Sequence, residues 1–174
     1  MASPNKSQKV GITVEPQELK NLFGLLNAIP KEFQGEIRDL AQPLSKDLAQ
    51  ALSVAAAFSA APPQAILVGR SISTPRDRLI RVDIGGSKKV GRTYGGIRTE
   101  KRSAAPAGAL LWGSEHGSTG APTDDAGRKM GRRFVKPFNA KGYWIAPTVD
   151  ANIRRVADGY TQALTALIKR LGLD

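Results

Sequence analysis

The apolar positions in the first third of the chain recur every three or four residues, which is the spacing of amphipathic helices. A flexible polar arm is predicted over residues 1–14, followed by a short helix that begins near Glu15. After a break at Pro30, a much longer helix has an apolar face formed by Phe33, Ile37, Leu40, Leu44, Leu48, Leu52 and Ala55. Pro43 lies inside this pattern and removes one backbone hydrogen bond, so we expect a kink near residues 39–42.

The period changes after Pro62, where short runs rich in β-branched residues replace the helical spacing. Two such runs flank the turn residues 74–77, and this order predicts a β-hairpin. We expect four strands in one small antiparallel sheet, with the predicted ranges 66–73, 79–84, 110–112 and 143–145. Residues 87–108 and 119–133 have no sustained period and are predicted to be mobile basic loops.

The C-terminal segment has the cleanest helical pattern, with Thr148 as a candidate N-cap and Gly172 as a candidate C-cap. Its apolar positions are Val149, Ile153, Val156, Tyr160, Leu164, Leu167 and Leu171. Two long helices that pack together on one face of a small sheet predict a single α+β domain over residues 15–174. We expect Trp112 and Trp144 to fill its core; exposed rings that stack on bases are the alternative.

The composition excludes several classes of protein. The chain of 174 residues has no cysteine and one histidine, so it can form neither a disulfide framework nor a zinc site rich in cysteine or histidine. No run approaches the ~20 apolar residues that a membrane span needs, and the N-terminus lacks the apolar region of a signal peptide. We therefore expect a protein that is made in the cytoplasm, without a membrane segment and without a cofactor.

The net charge of +11 is concentrated in the middle of the chain. Residues 61–148 contain sixteen basic and six acidic side chains, whereas residues 1–60 contain six of each. The candidate partner-facing residues are Lys88, Lys89, Arg92, Arg98, Lys101, Arg102, Arg128, Lys129, Arg132 and Arg133. Such loops commonly bind a polyanion, because each neutralised phosphate releases counterions. A solvated surface, or a loop that orders against an acidic protein, is the alternative.

Candidate catalytic and ligand-binding groups are few. Ser114, Glu115 and His116 are neighbours in sequence, whereas a catalytic triad brings together three groups from separate segments. Residues 85–89 lack the spacing of a phosphate-binding loop, and the acidic pair at residues 124–125 lacks the regular oxygen spacing of a cation site. We therefore expect that the protein is not an enzyme.

Two glycine-bounded segments stand out in the second half of the chain. Residues 111–117 have the sequence Leu-Trp-Gly-Ser-Glu-His-Gly, and residues 142–148, Gly-Tyr-Trp-Ile-Ala-Pro-Thr, lead into the last helix. With the long helix and the hairpin that ends at residues 84–86, this order resembles the tail-component family of long-tailed bacteriophages, whose members lie at the head-tail junction. The chain departs from the family pattern at His116, where an aromatic residue is commoner, and in a longer basic insertion after Ser118.

The resemblance implies a structural virion protein of the head-tail connector, a neck or tail-completion protein that joins head and tail during assembly. Its implied partners are other connector proteins: a portal-side adaptor or stopper, and a tail terminator or tail tube. It also implies a homo-oligomeric ring whose basic loops face either genomic DNA in the lumen or an adjacent ring. The charge distribution leaves one alternative, a stand-alone basic nucleic-acid-binding protein.

Truncation of a predicted core residue and truncation of predicted loop residues are expected to affect stability differently. Trp144→Ala is expected to lower the free energy of unfolding by about 3–5 kcal/mol, because a buried indole leaves a cavity when it is truncated. The pair Arg132→Ala and Arg133→Ala is expected to change it by about 0.5 kcal/mol or less, because the two side chains are predicted to lie on an exposed loop. Urea denaturation of the variants tests both, and a Trp144→Ala protein as stable as the wild type would place Trp144 on the surface.

Overall fold

The described part of the chain is folded into helices around one two-stranded sheet. The computed structural model describes Gly24 and residues 30–58, 61–94, 103–117 and 136–172. Its helices are α1 (Gln34–Phe58), α2 (Ala65–Gly69), α3 (Ala107–His116) and α4 (Ile145–Arg170), and a 3-10 turn at Lys31–Phe33 precedes α1. Strands β1 (Lys89–Tyr94) and β2 (Ser103–Pro106) form the antiparallel sheet. The predicted α+β class is therefore confirmed, with helices predominant.

Helices α1 and α4 pack side by side and run antiparallel. Ile37 of α1 and Leu167 of α4 are buried in one hydrophobic cluster near one end of the pair. Farther along α1, Leu44 lies against Gly159, where an added Cβ would be 3.3 Å from a Leu44 methyl group. Residue numbers thus fall along α4 as they rise along α1. The prediction that the two long helices pack together is confirmed, but their predicted packing on one face of a sheet is wrong, because β1 and β2 contact mainly α2 and α3. The residues packed around this cluster are Phe33, Leu40, Leu79, Leu164 and Leu171.

Helix α1 continues through Pro43 to Phe58 without a break, and the predicted kink stays a prediction. The irregular segment between α2 and β1 covers the surface of α1 near this proline. The side-chain amide of Gln42 donates to the carbonyl of Thr74 at 3.1 Å, and the backbone N–H of Arg81 donates to Ser45 Oγ at 3.0 Å. Side chains of the helix therefore hold a segment that forms almost no regular structure of its own.

None of the four predicted strands is a regular strand. Helix α2 occupies the start of the first predicted range, α3 contains the third, and α4 begins at Ile145 in the fourth. The predicted hairpin is reduced to one antiparallel bridge, in which the N–H and C=O groups of Ser73 and Asp83 bond reciprocally at 2.9 Å. Short apolar runs fit a buried helix as well as a strand, and α3 buries Ala107, Leu110 and others at helical spacing.

The observed sheet lies instead within residues 87–108, which were predicted to be a mobile loop, so that prediction is wrong for β1 and β2. The strands pair with Lys89 opposite Pro106, and the register is irregular between Lys89 and Thr93. Just beyond the strands, the N–H of Ala107 donates to the carbonyl of Lys88 at 2.8 Å, which fastens the hairpin to the start of α3. Glycine and basic residues hide the two-residue alternation by which a strand is recognised in sequence.

A second hydrophobic core surrounds Trp144, where the far end of α1 meets α2, α3 and the start of α4. Its buried members are Leu52, Ala56, Ala65, Val68, Leu110, Trp144 and Ile145. The Trp144 side chain is only 1% exposed, so its predicted place in the core is confirmed. The same prediction is wrong for Trp112, which is 52% exposed on α3.

Helix α4 begins three residues before the predicted cap at Thr148. It ends at Arg170 with Leu171 as its C-cap, and the predicted cap Gly172 follows with a positive φ of 64°. Its predicted apolar face is confirmed at Val156, Tyr160 and Leu167, which are buried, and is wrong at Ile153, which is exposed. The Tyr160 hydroxyl donates to the carbonyl of Arg78 at 2.5 Å, which fastens α4 to the irregular segment. Burial raises the pKa of Tyr160, so its hydroxyl keeps the proton that it donates.

Several predictions fall on residues that the structure does not describe. They are the arm at residues 1–14, the short helix that begins near Glu15 and the loop at residues 119–133. The single-domain boundaries at residues 15–174 also stay a prediction. Among the helices of the described ranges, none combines the length and the apolar character that crossing a membrane requires.

The packing of α1 on α4 predicts unequal costs for two truncations on α4. Leu167→Ala is expected to lower the free energy of unfolding by about 2–5 kcal/mol, because it opens a cavity against Ile37. Ile153→Ala, a control on the same helix, removes a side chain that is 41% exposed and is expected to cost about 1 kcal/mol or less. Thermal and urea denaturation measure both, and equal losses would contradict the packing described.

Candidate functional site

Glu115 is a buried carboxylate that caps α4 from another helix. It is the last but one residue of α3 and is 1% exposed. Its Oε2 accepts hydrogen bonds from the N–H groups of Trp144 at 3.2 Å and Ile145 at 2.7 Å, and its Oε1 accepts one from Ala146 at 2.9 Å. The first N–H groups of a helix have no partner within the helix. A negative charge there also interacts favourably with the positive end of the helix dipole. The Glu115 side chain thus supplies both the hydrogen-bond acceptors and the negative charge.

Glycines allow the two segments to approach closely enough for this contact. A Cβ added at Gly142 would lie 1.9 Å from Glu115 Oε1, and Gly142 has a φ of 79°, in the left-handed region. Gly117 also has a positive φ, and a Cβ there would lie 2.3 Å from the carbonyl oxygen of Pro137. Both glycines are therefore required by steric space as well as by backbone conformation.

Backbone and imidazole contacts join the same two segments around the carboxylate. The N–H of Tyr143 donates to the carbonyl of Glu115 at 2.8 Å, and the N–H of Asn139 donates to that of His116 at 2.8 Å. His116 Nδ1 lies 2.9 Å from the carbonyl oxygen of Asn139, so this nitrogen carries a proton and donates it. The His116 ring thus helps to hold the junction, and Ser114 Oγ donates separately to the carbonyl of Leu111 at 2.8 Å.

Three rings form an exposed cluster beside this junction, which we call the aromatic cluster: Trp112, His116 and Phe138. The Trp112 and His116 ring centroids are 4.2 Å apart with the planes tilted by 44°, and His116 and Phe138 are 6.1 Å apart with a tilt of 32°. Trp112 is 52% exposed and Phe138 is 48% exposed. Large apolar rings at the surface commonly mark interaction sites.

A shallow groove of about 720 Å³ lies on the other side of Tyr143, between α1 and the first turns of α4. Ala51 and Val54 of α1 and Pro147 of α4 line it. Tyr143, which also lines the groove, donates its hydroxyl to the carbonyl of Pro137 at 2.8 Å, next to the aromatic cluster. Within the described residues, no three or more acidic or histidine side chains are grouped so as to hold a metal ion.

The structure places only part of the predicted basic site. Lys88 and Lys89 are exposed at the start of β1, where Lys88 Nζ donates to the carbonyl of Arg70. Arg92 lies within β1. The remaining predicted residues lie outside the described ranges: Arg98, Lys101, Arg102, Arg128, Lys129, Arg132 and Arg133. The structure therefore brings Lys88, Lys89 and Arg92 into one hairpin, and the partner-facing role of all ten stays a prediction.

Comparison of the chain with protein-family models, with curated proteins and with solved structures found no match. Its function is therefore inferred from its own residues and their contacts.

The sequence alone assigned no function to Glu115 or Phe138, and for Trp112 an exposed ring that stacks on bases was only the alternative to a place in the core. Glu115 entered only as one of three neighbours rejected as a catalytic triad. A usable signal was present, because Glu115 is the only acidic residue between Ser103 and Phe138 apart from the pair at residues 124–125, and it follows an apolar run. A lone acid in such a run usually has a buried partner.

Removal of the Glu115 carboxylate is expected to be unusually costly. Glu115→Ala leaves three N–H groups at the start of α4 without their acceptor and is expected to lower the free energy of unfolding by about 3 kcal/mol or more. Glu36→Ala, the control, removes an exposed partner of Arg170 and is expected to cost about 1 kcal/mol or less. Urea denaturation measures both losses, and a Glu115→Ala loss no larger than that of Glu36→Ala would contradict the capping role.

Proposed function

We propose that the protein is a structural component of a bacteriophage head-tail connector, which joins or completes the tail during virion assembly. One observation carries the proposal. The two segments on which the family resemblance depends, residues 111–117 and 142–148, are separated by 24 residues in the sequence. They meet through the carboxylate of Glu115 and the N–H groups of Trp144, Ile145 and Ala146. This contact supports the view that the two motifs belong to one structural unit.

The contacts of the polar groups at this junction also favour a structural role. Glu115 and His116 bond to backbone groups of the segment at residues 139–146 and so fasten two segments together, whereas Ser114 bonds to a carbonyl of its own helix. The features left exposed nearby are aromatic rings and the apolar groove between α1 and α4. Surfaces of this composition are typical of protein assembly, because apolar contact area supplies much of the free energy of association.

The proposal includes a location and a set of partners. The protein lies at the head-tail junction of the virion, as copies of a homo-oligomeric ring. It contacts a portal-side adaptor or stopper on one side and a tail terminator or tail tube on the other. The basic residues, including Lys88 and Lys89 on the hairpin, face genomic DNA or an adjacent ring. No chemical reaction is assigned to the protein.

A nonsense mutation in the gene of the encoding phage tests this proposal. Mutant lysates are expected to contain DNA-filled heads and tails that are not joined, and the purified wild-type protein is expected to restore joining and infectivity when it is added. The Glu36→Ala protein, altered on the exposed end of α1, should restore joining as well as wild type. Glu115→Ala should restore less, in proportion to the fraction of protein that remains folded.

Complete and infective virions in the mutant lysate would contradict the connector role. The alternative, a stand-alone nucleic-acid-binding protein, predicts such virions together with tight binding of nucleic acid by the isolated protein. It also predicts that the binding constant falls steeply with salt concentration, because counterions are released on binding.

A further inference from the structure

The aromatic cluster has two properties that its part in the fold does not explain. Trp112 and Phe138 are each about half exposed. Helix α3 has buried positions at Leu110 and Gly113, on either side of the exposed Trp112. The rings are also held in place, because the His116 ring lies against that of Trp112 and is fixed by its bond to the carbonyl of Asn139. An exposed platform that is already ordered loses little conformational entropy when a flat ligand stacks on it.

The charged residues next to Phe138 in the sequence are basic. In the described residues 103–117 and 136–149 the one acidic side chain is Glu115, and its carboxylate is buried against the start of α4. The same ranges contain Lys136 and Lys141, which flank Phe138 two and three residues away. These two lysines favour an anionic partner for a ligand that covers the Phe138 ring.

We propose that the aromatic cluster is a binding site for single-stranded nucleic acid, in which unpaired bases stack on Trp112 and Phe138 while Lys136 and Lys141 contact the phosphates. Exposed rings beside cations are the usual platform for single strands, because every base has a flat face and every nucleotide has a negative charge. The His116 ring joins the other two, since its centroid lies 4.2 Å from that of Trp112 and 6.1 Å from that of Phe138. A duplex keeps its bases stacked on one another and offers the rings no free face.

This site goes beyond the proposed connector function and does not depend on it. The two proposals fail separately. The connector function can hold when the protein does not bind single strands, and the binding site can hold when the protein is absent from virions. The site also differs from the predicted basic loops, which would attract phosphates without distinguishing single strands from duplexes.

Tryptophan fluorescence of the full-length protein tests the site directly. The probes are oligodeoxythymidylate, oligouridylate and a DNA duplex of equal length at low salt. Since Trp144 is 1% exposed, Trp112 supplies the accessible emission. Both single strands are expected to quench it saturably, the duplex is expected to quench it weakly, and Trp112→Phe should remove most of the quenching. The stronger of the two single strands identifies DNA or RNA as the preferred source of the unpaired bases.

Binding of a labelled strand, followed by fluorescence anisotropy, measures the contribution of each ring. Trp112→Ala and Phe138→Ala are each expected to weaken binding about 10-fold or more, whereas Trp112→Phe should stay within a few-fold of wild type because a ring remains. Ile66→Ala, which truncates an apolar side chain that is also exposed, is the matched control and should bind as wild type. Lys141→Gln should reduce the slope of the logarithm of the binding constant against the logarithm of salt concentration by about one, as expected for the loss of one phosphate contact.

Three results would overturn the proposal. The first is wild-type binding by both alanine variants with unchanged melting temperatures, which would assign binding to the basic residues alone. The second is equal affinity for the single strand and the duplex. The third is no binding of either strand together with self-association in sedimentation that Trp112→Ala abolishes, which would make the cluster a contact between protein chains.

Discussion

The bond between the Glu115 carboxylate and the first N–H groups of α4 is the constraint on which the rest of the described structure depends. A 26-residue helix must begin somewhere, and its first N–H groups need acceptors that water does not supply in a buried position. The acceptor comes from α3, about thirty residues earlier, so the direction of α4 is set by the position of α3. Trp144 is buried at the same point and closes the second hydrophobic core around the junction.

The same constraint connects the fold to the surfaces that we propose to be functional. Gly142 must be glycine because Glu115 occupies the space of its Cβ, and the turn that follows Phe138 is fixed by contacts between Asn139 and His116. This turn places Phe138 beside the ring of His116, next to the residues that form the cap. The groove between α1 and α4 is lined in part by Tyr143, two residues before the start of α4. A change at Glu115 therefore reaches the exposed surfaces as well as the core.

The long helices could be predicted from the sequence, whereas the sheet and the site could not. Seven apolar positions at steps of three and four residues define α4, and three of them are buried as predicted. Reading α3 as a strand misplaced Trp112, because residues i and i+2 share one face of a strand but point in nearly opposite directions on a helix. Burial of Leu110 therefore exposes Trp112. The Glu115 cap joins residues about thirty positions apart, and no periodic pattern reports a contact at that separation.

Hydrogen exchange at three backbone amides tests the central claim most directly. The N–H groups of Trp144, Ile145 and Ala146 are expected to exchange slowly in the wild-type protein, although the first N–H groups of a helix ordinarily exchange fast. The Glu115→Gln variant keeps the shape of the side chain and removes its negative charge. In this variant the protection of the three backbone N–H groups should fall, while that of the backbone N–H groups around Val156 is retained. Fast exchange of the three amides in the wild type, or unchanged protection in Glu115→Gln, would contradict the account.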